Sequence, residues 1–187
     1  MAQLIADRRD VDFVLHEQFR AETLCRYERY RDFDRRTFDL IVDEARNLAI
    51  KEILPTRAAG DREGLVFEDG QVKVPACFHR PYKLFCQGEW TAMTADPAVG
   101  GQGLPCLVAQ AVSDYQLGAN YAFTLFGWSG FGAGEMIEHF GTEEQKQEFI
   151  LGGFERKRRV AFGLTEPDHG SDATHMETRA VRETRDG

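Results

Sequence analysis

Eight consecutive residues near the end of the chain, Thr165-Glu166-Pro167-Asp168-His169-Gly170-Ser171-Asp172, carry most of its candidate chemistry. They follow an apolar run, "RRVAFGL", that has the composition of a strand. A strand delivering the chain into a tight turn is a common way to build a cofactor site. Pro167 and Gly170 shape the turn, Thr165 and Ser171 supply hydroxyls, and the backbone supplies N–H donors. Such donors suit a ring carbonyl or a phosphate oxygen. Taken alone, a Gly-Ser-Asp turn is more often only a turn. Other chemistries fit worse. His169 and His175 lie six apart beside Asp168 and Asp172, a spacing that matches no standard metal-ligand pattern. Ser171 lacks the G-x-S-x-G setting of a hydrolase nucleophile and has no assignable base. Gly100-Gly101-Gln102-Gly103 is not G-x-G-x-x-G and follows no clear strand, so it is no dinucleotide fingerprint.

The elements that must position this turn are mostly helical. The first thirty residues are charged and aromatic, with Val11, Val14, Leu15, Phe19 and Leu24 as one sticky stripe. They are expected to form a short helical arm lying on a larger body. From Asp34 to Leu54 the apolar residues Phe38, Ile41, Val42, Ala45, Leu48 and Ala49 recur at helical spacing. Asp34 is the expected N-cap and Pro55 the expected stop. Residues 56–74 are polar and are expected to be a surface insert, with Asp69-Gly70 turning a small hairpin. A helix is expected before Gly88, with Pro81 a candidate break. Pro97 to Pro105 is glycine-rich loop. Leu107 to Gly127 is apolar nearly all round, as in a helix central to a bundle. Small residues follow, and Thr142 with Gln145 fits a capping box. Beyond Phe154 two strand-like segments, "RRVAFGLTE" and "METRAVRE", suggest the opening of a β-domain. The expected divisions are an arm at 1–33, a helical domain at 34–157 and the truncated start of a β-domain at 158–187.

Bulk composition narrows the classes. The 187 residues are 42% hydrophobic, enough for a core, and carry a net charge of −8. That balance argues against general nucleic-acid binding, and the basic run Arg156–Arg159 is most simply a solvated turn. Cys25, Cys77, Cys86 and Cys106 show no C-x-x-C spacing, and "MAQLIADRRD" has no secretory h-region; a cytoplasmic protein with reduced thiols is expected. No apolar run nears the ~18 residues of a membrane span.

Three motifs add a family resemblance. "FGLTEPDHGSD", Phe162 to Asp172, closely resembles the T-E-P-x-x-G-S-D signature of the acyl-CoA dehydrogenase family. "DPAVGGQGLP", 96–105, resembles that family's Pro-x-x-Gly-Gly-x-Gly loop, and "HFGTEEQKQEFI", 139–150, its F/Y-G-T/S-E-E-Q-K helix start. They occur in family order and the resemblance covers most of the chain. Within the family, "ARNLAIKEILPT" and "GEWTAMTADPAVGGQG" are similar to the 3-methylmercaptopropionyl-CoA dehydrogenase-like branch. "FGLTEPDHGSDATHMETRA" looks more like the ordinary branches, including the glutaryl-CoA dehydrogenase type. The two ends therefore point to different branches, and a natural or assembled chimera stays open.

The resemblance implies a mainly α fold: a helical bundle followed by the first strands of an incomplete β-barrel domain. It implies FAD as cofactor, an acyl-CoA thioester as substrate, an electron-transfer flavoprotein-type acceptor and a homo-oligomeric full-length protein. In the family two hydrogens leave Cα and Cβ, a glutamate taking the α-proton while hydride passes to the flavin. Carried over, Phe162, Gly163, Leu164 and Thr165 would line the flavin ring, with the Thr165 hydroxyl facing its N1/O2 edge. Gly170 and Ser171 would meet the pyrophosphate, Ser171 also touching the CoA part of the substrate. Glu166 and Asp172 would brace the turn. The family's second flavin strand, W-x-T or W-x-S, and its catalytic glutamate would lie beyond residue 187. The chain is thus expected to be an N-terminal fragment with half a flavin site and no catalytic residue, inactive alone and unable to hold FAD tightly. The rival expectation is a non-catalytic helical interaction module derived from the same fold.

Overall fold

A computed structural model describes residues 5–128, 131–151 and 163–182. They are mostly helical, with one two-stranded antiparallel sheet. The bundle forms around two helices, α2 (Arg35–Leu48) and α5 (Cys106–Ala119). Phe38, Val42, Ala45, Ala49 and Ile53 from the first side meet Val108, Val112, Tyr115 and Ala119 from the second, all in one buried cluster. Each fully buried large apolar side chain contributes about 1.5–3 kcal/mol, so this seam is the main source of the fold's stability. Asp34 caps α2 as expected, its carboxylate accepting from Thr37 N at 2.7 Å and from the Thr37 hydroxyl at 2.7 Å.

The arm opens with α1 (Arg8–Asp12) and a wider π-helical turn, Phe13–Gln18. It does lie on the body, but the apolar stripe is only part of the attachment. Val11 and Leu15 are buried, whereas Val14 and Phe19 face solvent. Polar contacts supply the rest. His16 is buried with Nε2 3.0 Å from Asp39 Oδ1 and Nδ1 3.2 Å from Glu22 Oε2. Arg8 pairs with Asp12, Asp39 and Asp43.

Past Leu48 the helix widens into a π-helical turn, Ala49–Ile53, closed by Leu54 N donating to Ala49 O at 2.8 Å. Pro55 does end it, because a proline has no N–H and its ring crowds the preceding turn. It does not open a loop. Pro55 stays helical in its own dihedrals, and α3 (Thr56–Glu63) starts at once, burying Thr56 and Gly60. The polar insert expected at 56–74 is therefore helix first and hairpin second. The hairpin pairs β1 (Val66–Glu68) with β2 (Gln71–Lys73), and Asp69 and Gly70 both take positive φ, 52° and 75°. That is the two-residue turn that Asp-Gly favours.

In α4 (His79–Gln87) Pro81 sits within the first turn, where a missing N–H costs nothing, so no break occurs. The apolar run expected as one helix from 107 to 127 is two: α5 and α6 (Tyr121–Trp128). Asn120 separates them in an extended conformation, φ −158° and ψ 102°. Its side chain accepts from Phe123 N at 3.2 Å and donates to Thr56 Oγ1 at 2.9 Å. A capping side chain thus won over apolar continuity. Phe123 then meets Phe78 and Phe85 edge-on, at 5.5 and 6.0 Å between centroids. Two more helical stretches follow, α7 (Phe131–Phe140) and α8 (Glu143–Gln145), the latter running on as a π-helical turn, Lys146–Leu151. The Thr142–Gln145 capping box is present in both directions. Among the described residues of 163–182 there is one short 3₁₀ turn, Ala173–His175, and no strand. Strand-like composition at 163–166 and 176–182 finds no ladder partner there, and lone strands do not persist. The stretch Arg159–Phe162 and the basic run Arg156–Arg159 lie outside the described residues.

Candidate functional site

The turn at 163–172 is held by its own backbone and by one carboxylate. Glu166 N donates to His169 O at 2.9 Å and His169 N returns a bond to Glu166 O at 3.3 Å, closing the Pro167-Asp168 turn. The Glu166 side chain reaches the following segment. It accepts from Glu177 N at 2.8 Å, from Thr178 N at 2.9 Å and from the Thr178 hydroxyl. The Thr178 hydroxyl and these two amides hold its carboxyl below the usual glutamate range. Asp172 closes the far side, accepting from Thr174 Oγ1 and from His175 Nδ1, both at 2.6 Å. Those bonds draw its carboxyl down as well. Both acids have their oxygens engaged within the turn, the bracing part expected of them.

This bracing leaves the candidate donors outward. Thr165, Gly170 and Ser171 are exposed and Leu164 is half-buried. Neither the Thr165 nor the Ser171 hydroxyl makes a hydrogen bond among the described residues. Gly170 folds back onto Thr165: a Cβ there would lie 3.7 Å from Thr165 Cγ2. The structure therefore brings Thr165, Gly170 and Ser171 onto one small corner, with Gly163 and Leu164 leading into it. Phe162 lies outside the described residues. Two outward hydroxyls and unused backbone N–H groups are a donor set suited to an anionic or carbonyl-rich group, so the residues present fit the flavin and its pyrophosphate.

A second feature was not legible as a site. Trp90, Met93, Ala109 and Trp128 enclose an apolar pocket of about 280 Å³, edged by Gln110, Ser113 and Glu135. The indole N–H of Trp128 is buried with no partner among the described residues. The wall formed by residues 90–94 is backed by the glycine-rich loop. Gln102 N donates to Ala92 O at 2.9 Å, Gly103 N to Ala95 O at 3.0 Å and Leu104 N to Met93 O at 2.7 Å. At Gly101 an added Cβ would sit 2.1 Å from Ala95 O, so only glycine fits. The loop's motif is thus a packing device that fixes residues 92–95, Met93 among them. The only signal in the sequence was the all-round apolar character of α5, which says "buried" and not "lined".

Residues 36–152 match the family described as "Acyl-CoA dehydrogenase, N-terminal domain". The chain belongs to the acyl-CoA dehydrogenase family. It is 30% identical over 185 residues to the broad-specificity linear acyl-CoA dehydrogenase FadE5 of Mycobacterium tuberculosis, covering 98% of this chain and 30% of that protein. It is 29% identical over 129 residues to the 3-methylmercaptopropionyl-CoA dehydrogenase of Ruegeria pomeroyi, covering 69% and 22%. It is 23% identical over 175 residues to the butyryl-CoA dehydrogenase of Syntrophomonas wolfei, covering 91% and 28%. The chain therefore spans less than a third of the length of these relatives. No helix among the described residues is long and apolar enough to cross a membrane.

Proposed function

We propose that this chain is the N-terminal part of an FAD-dependent enzyme that dehydrogenates an acyl-CoA thioester between Cα and Cβ. The observation that carries the reading is the braced turn. Glu166 and Asp172 spend their carboxylates on holding it, and so present the Thr165 and Ser171 hydroxyls outward. Phe162, Gly163, Leu164, Thr165, Gly170 and Ser171 would hold the flavin, and Ser171 would also touch the CoA portion. FAD, when bound, supplies the hydride acceptor. The protein's task at this corner is to bind and orient: fixed donors opposite a group that gains negative charge on reduction favour the reduced form. No residue of this chain is assigned as the base, because Glu166 is engaged elsewhere. A β-domain beginning near residue 158, an electron-transfer flavoprotein-type acceptor and a homo-oligomeric assembly belong to the same proposal.

The apolar pocket beside Trp90 is a suitable seat for the acyl chain. At about 280 Å³ it stands at the small end of ligand cavities, which suits a short chain such as a butyryl or 3-methylthiopropanoyl group. The test is dye-linked oxidation of an acyl-CoA series by the protein carrying this chain in its full reading frame. Bound flavin with turnover of short acyl-CoAs is expected, and Ala109→Phe should cut activity on the longer members by tenfold or more. A flavin-free protein that oxidises no acyl-CoA would overturn the proposal.

A further inference from the structure

His16 is 6% exposed and has a carboxylate against each ring nitrogen: Asp39 Oδ1 lies 3.0 Å from Nε2 and Glu22 Oε2 lies 3.2 Å from Nδ1. An ionised carboxylate only accepts hydrogen bonds, whereas a neutral imidazole has one donor nitrogen and one acceptor nitrogen. Both contacts are satisfied together only when the ring carries two protons. The surroundings favour that charge. Asp12 and Asp43 add their carboxylates to the two partners, and the cations facing them are Arg8, on Asp12, Asp39 and Asp43, and Arg35, 3.9 Å from Asp39 Oδ2. Arg9 and Glu17, on the arm itself, pair with each other. Burial pushes up the Tyr115 phenol on α5, which packs on the same turn, and the Cys25 thiol beyond Glu22, so neither adds a charge. With Arg8 already seated on Asp12 and Asp39, the cluster calls for a proton and not for a metal ion.

The same ring ties three elements together: its own π-helical turn, the 3₁₀ turn Ala21–Arg26 through Glu22, and α2 through Asp39. Arg20 joins the first two in the left-handed region, φ 48°, where a side chain crowds the backbone. That strain opposes docking and favours release once the bonds weaken. A second 3₁₀ turn, Glu28–Tyr30, carries the arm on to a cavity of about 190 Å³, lined by Arg29 and by Thr94, Cys106 and Glu135, which also line the Trp90 pocket. We propose that His16 is a proton-operated clasp for the arm, closed while the ring carries both protons and open when it gives one up, the Arg29 wall of that cavity being released with it. The sign follows from proton counting. Above the ordinary histidine value of about 6.5 a released arm must take up a proton to dock. The clasp is therefore fully present below that pH and is lost as pH rises. Its acid limit is set by Glu22. Burial opposes ionisation there, but the Glu22 backbone N–H and the His16 ring hold the carboxyl below the usual glutamate range. That contribution stands above the usual glutamate value and is lost only as pH falls through the lowered one.

The test is amide hydrogen exchange of the protein at about pH 5.5 and about pH 8.5, corrected for the intrinsic rate at each pH. The reporters are Phe19, Thr23, Tyr27 and Tyr30, whose amides bond to Val14, Arg20, Leu24 and Tyr27 within the arm. Their protection should fall at least fivefold at the higher pH, with the core amides of α2 and α5 unchanged. His16→Gln cannot carry the charge and should show low arm protection at both pH values. Glu22→Gln is the sharper variant. A neutral ring can then accept at Nδ1 from the new amide while Nε2 still donates to Asp39, so the arm should stay protected at about pH 8.5, a gain that mere damage to the fold does not produce. Wild-type protection that ignores pH would overturn the proposal. So would a step that stops short of Tyr30, or one shared by α2 and α5. A step as large as the wild type's in either variant would do the same.

Discussion

Glu166 is the residue on which the candidate site turns. Its carboxylate joins two segments eleven and twelve residues apart through Glu177 and Thr178. Glu166→Gln keeps the shape but offers one acceptor oxygen in place of two. Amide exchange at Glu177 and Thr178 should therefore speed several-fold, with core amides of α2 and α5 unchanged. The pH dependence has a definite sign. A carboxyl whose folded pKa lies below its ordinary value stabilises the folded turn above that ordinary value, and the contribution is lost as pH falls through the lowered one. The same two amides should lose protection on acidification below about pH 4.3, the usual glutamate value, before the bundle melts. Gly101 offers the other test at this scale. Because a Cβ would strike the Ala95 carbonyl, Gly101→Ala should destabilise by about 1–3 kcal/mol, read as a lower midpoint in urea. In the sequence the turn and its acids were legible as a unit, since Pro, Gly and Asp announce themselves locally. The partners Glu177 and Thr178 were not, because no local pattern marks a backbone N–H that a distant carboxylate will claim.

Among the elements, the helices of the bundle were readable where one periodicity and one cap decide the matter. Asp34, the face from Phe38 to Ala49, the Asp69-Gly70 hairpin and the Thr142–Gln145 capping box all stand where their chemistry places them. The sequence was less readable where two rules compete. Pro55 was expected to end helical structure, yet a proline at the head of a helix is as favourable as one in its middle is costly, and α3 begins immediately. Asn120 lies in an apolar run that suggested one helix, yet its side chain caps α6 and reaches Thr56, 64 residues away. Asn120→Ala removes that cap and leaves Thr56 Oγ1 without its donor. A loss of about 1–3 kcal/mol is expected, along with weaker amide protection in the first turn of α6. Helical continuity through position 120 of that variant, with no loss of stability, would contradict this reading.

At the scale of the whole molecule, family membership rests on the match over residues 36–152, whereas the proposed flavin corner lies beyond that match, at 163–172. The two are joined by the functional proposal and not, among the described residues, by a shared buried core. The most direct test is therefore FAD binding at the corner, in the protein with its full reading frame. Thr165→Ala and Ser171→Ala each remove one outward hydroxyl that makes no bond among the described residues, so the fold should be indifferent to the change. A hydrogen bond to a charged group is worth about 1.5–3 kcal/mol. The predicted result is FAD binding weakened by tenfold or more in each variant with an unchanged melting temperature. Wild-type FAD affinity in both variants would contradict the assignment of this turn as the flavin site.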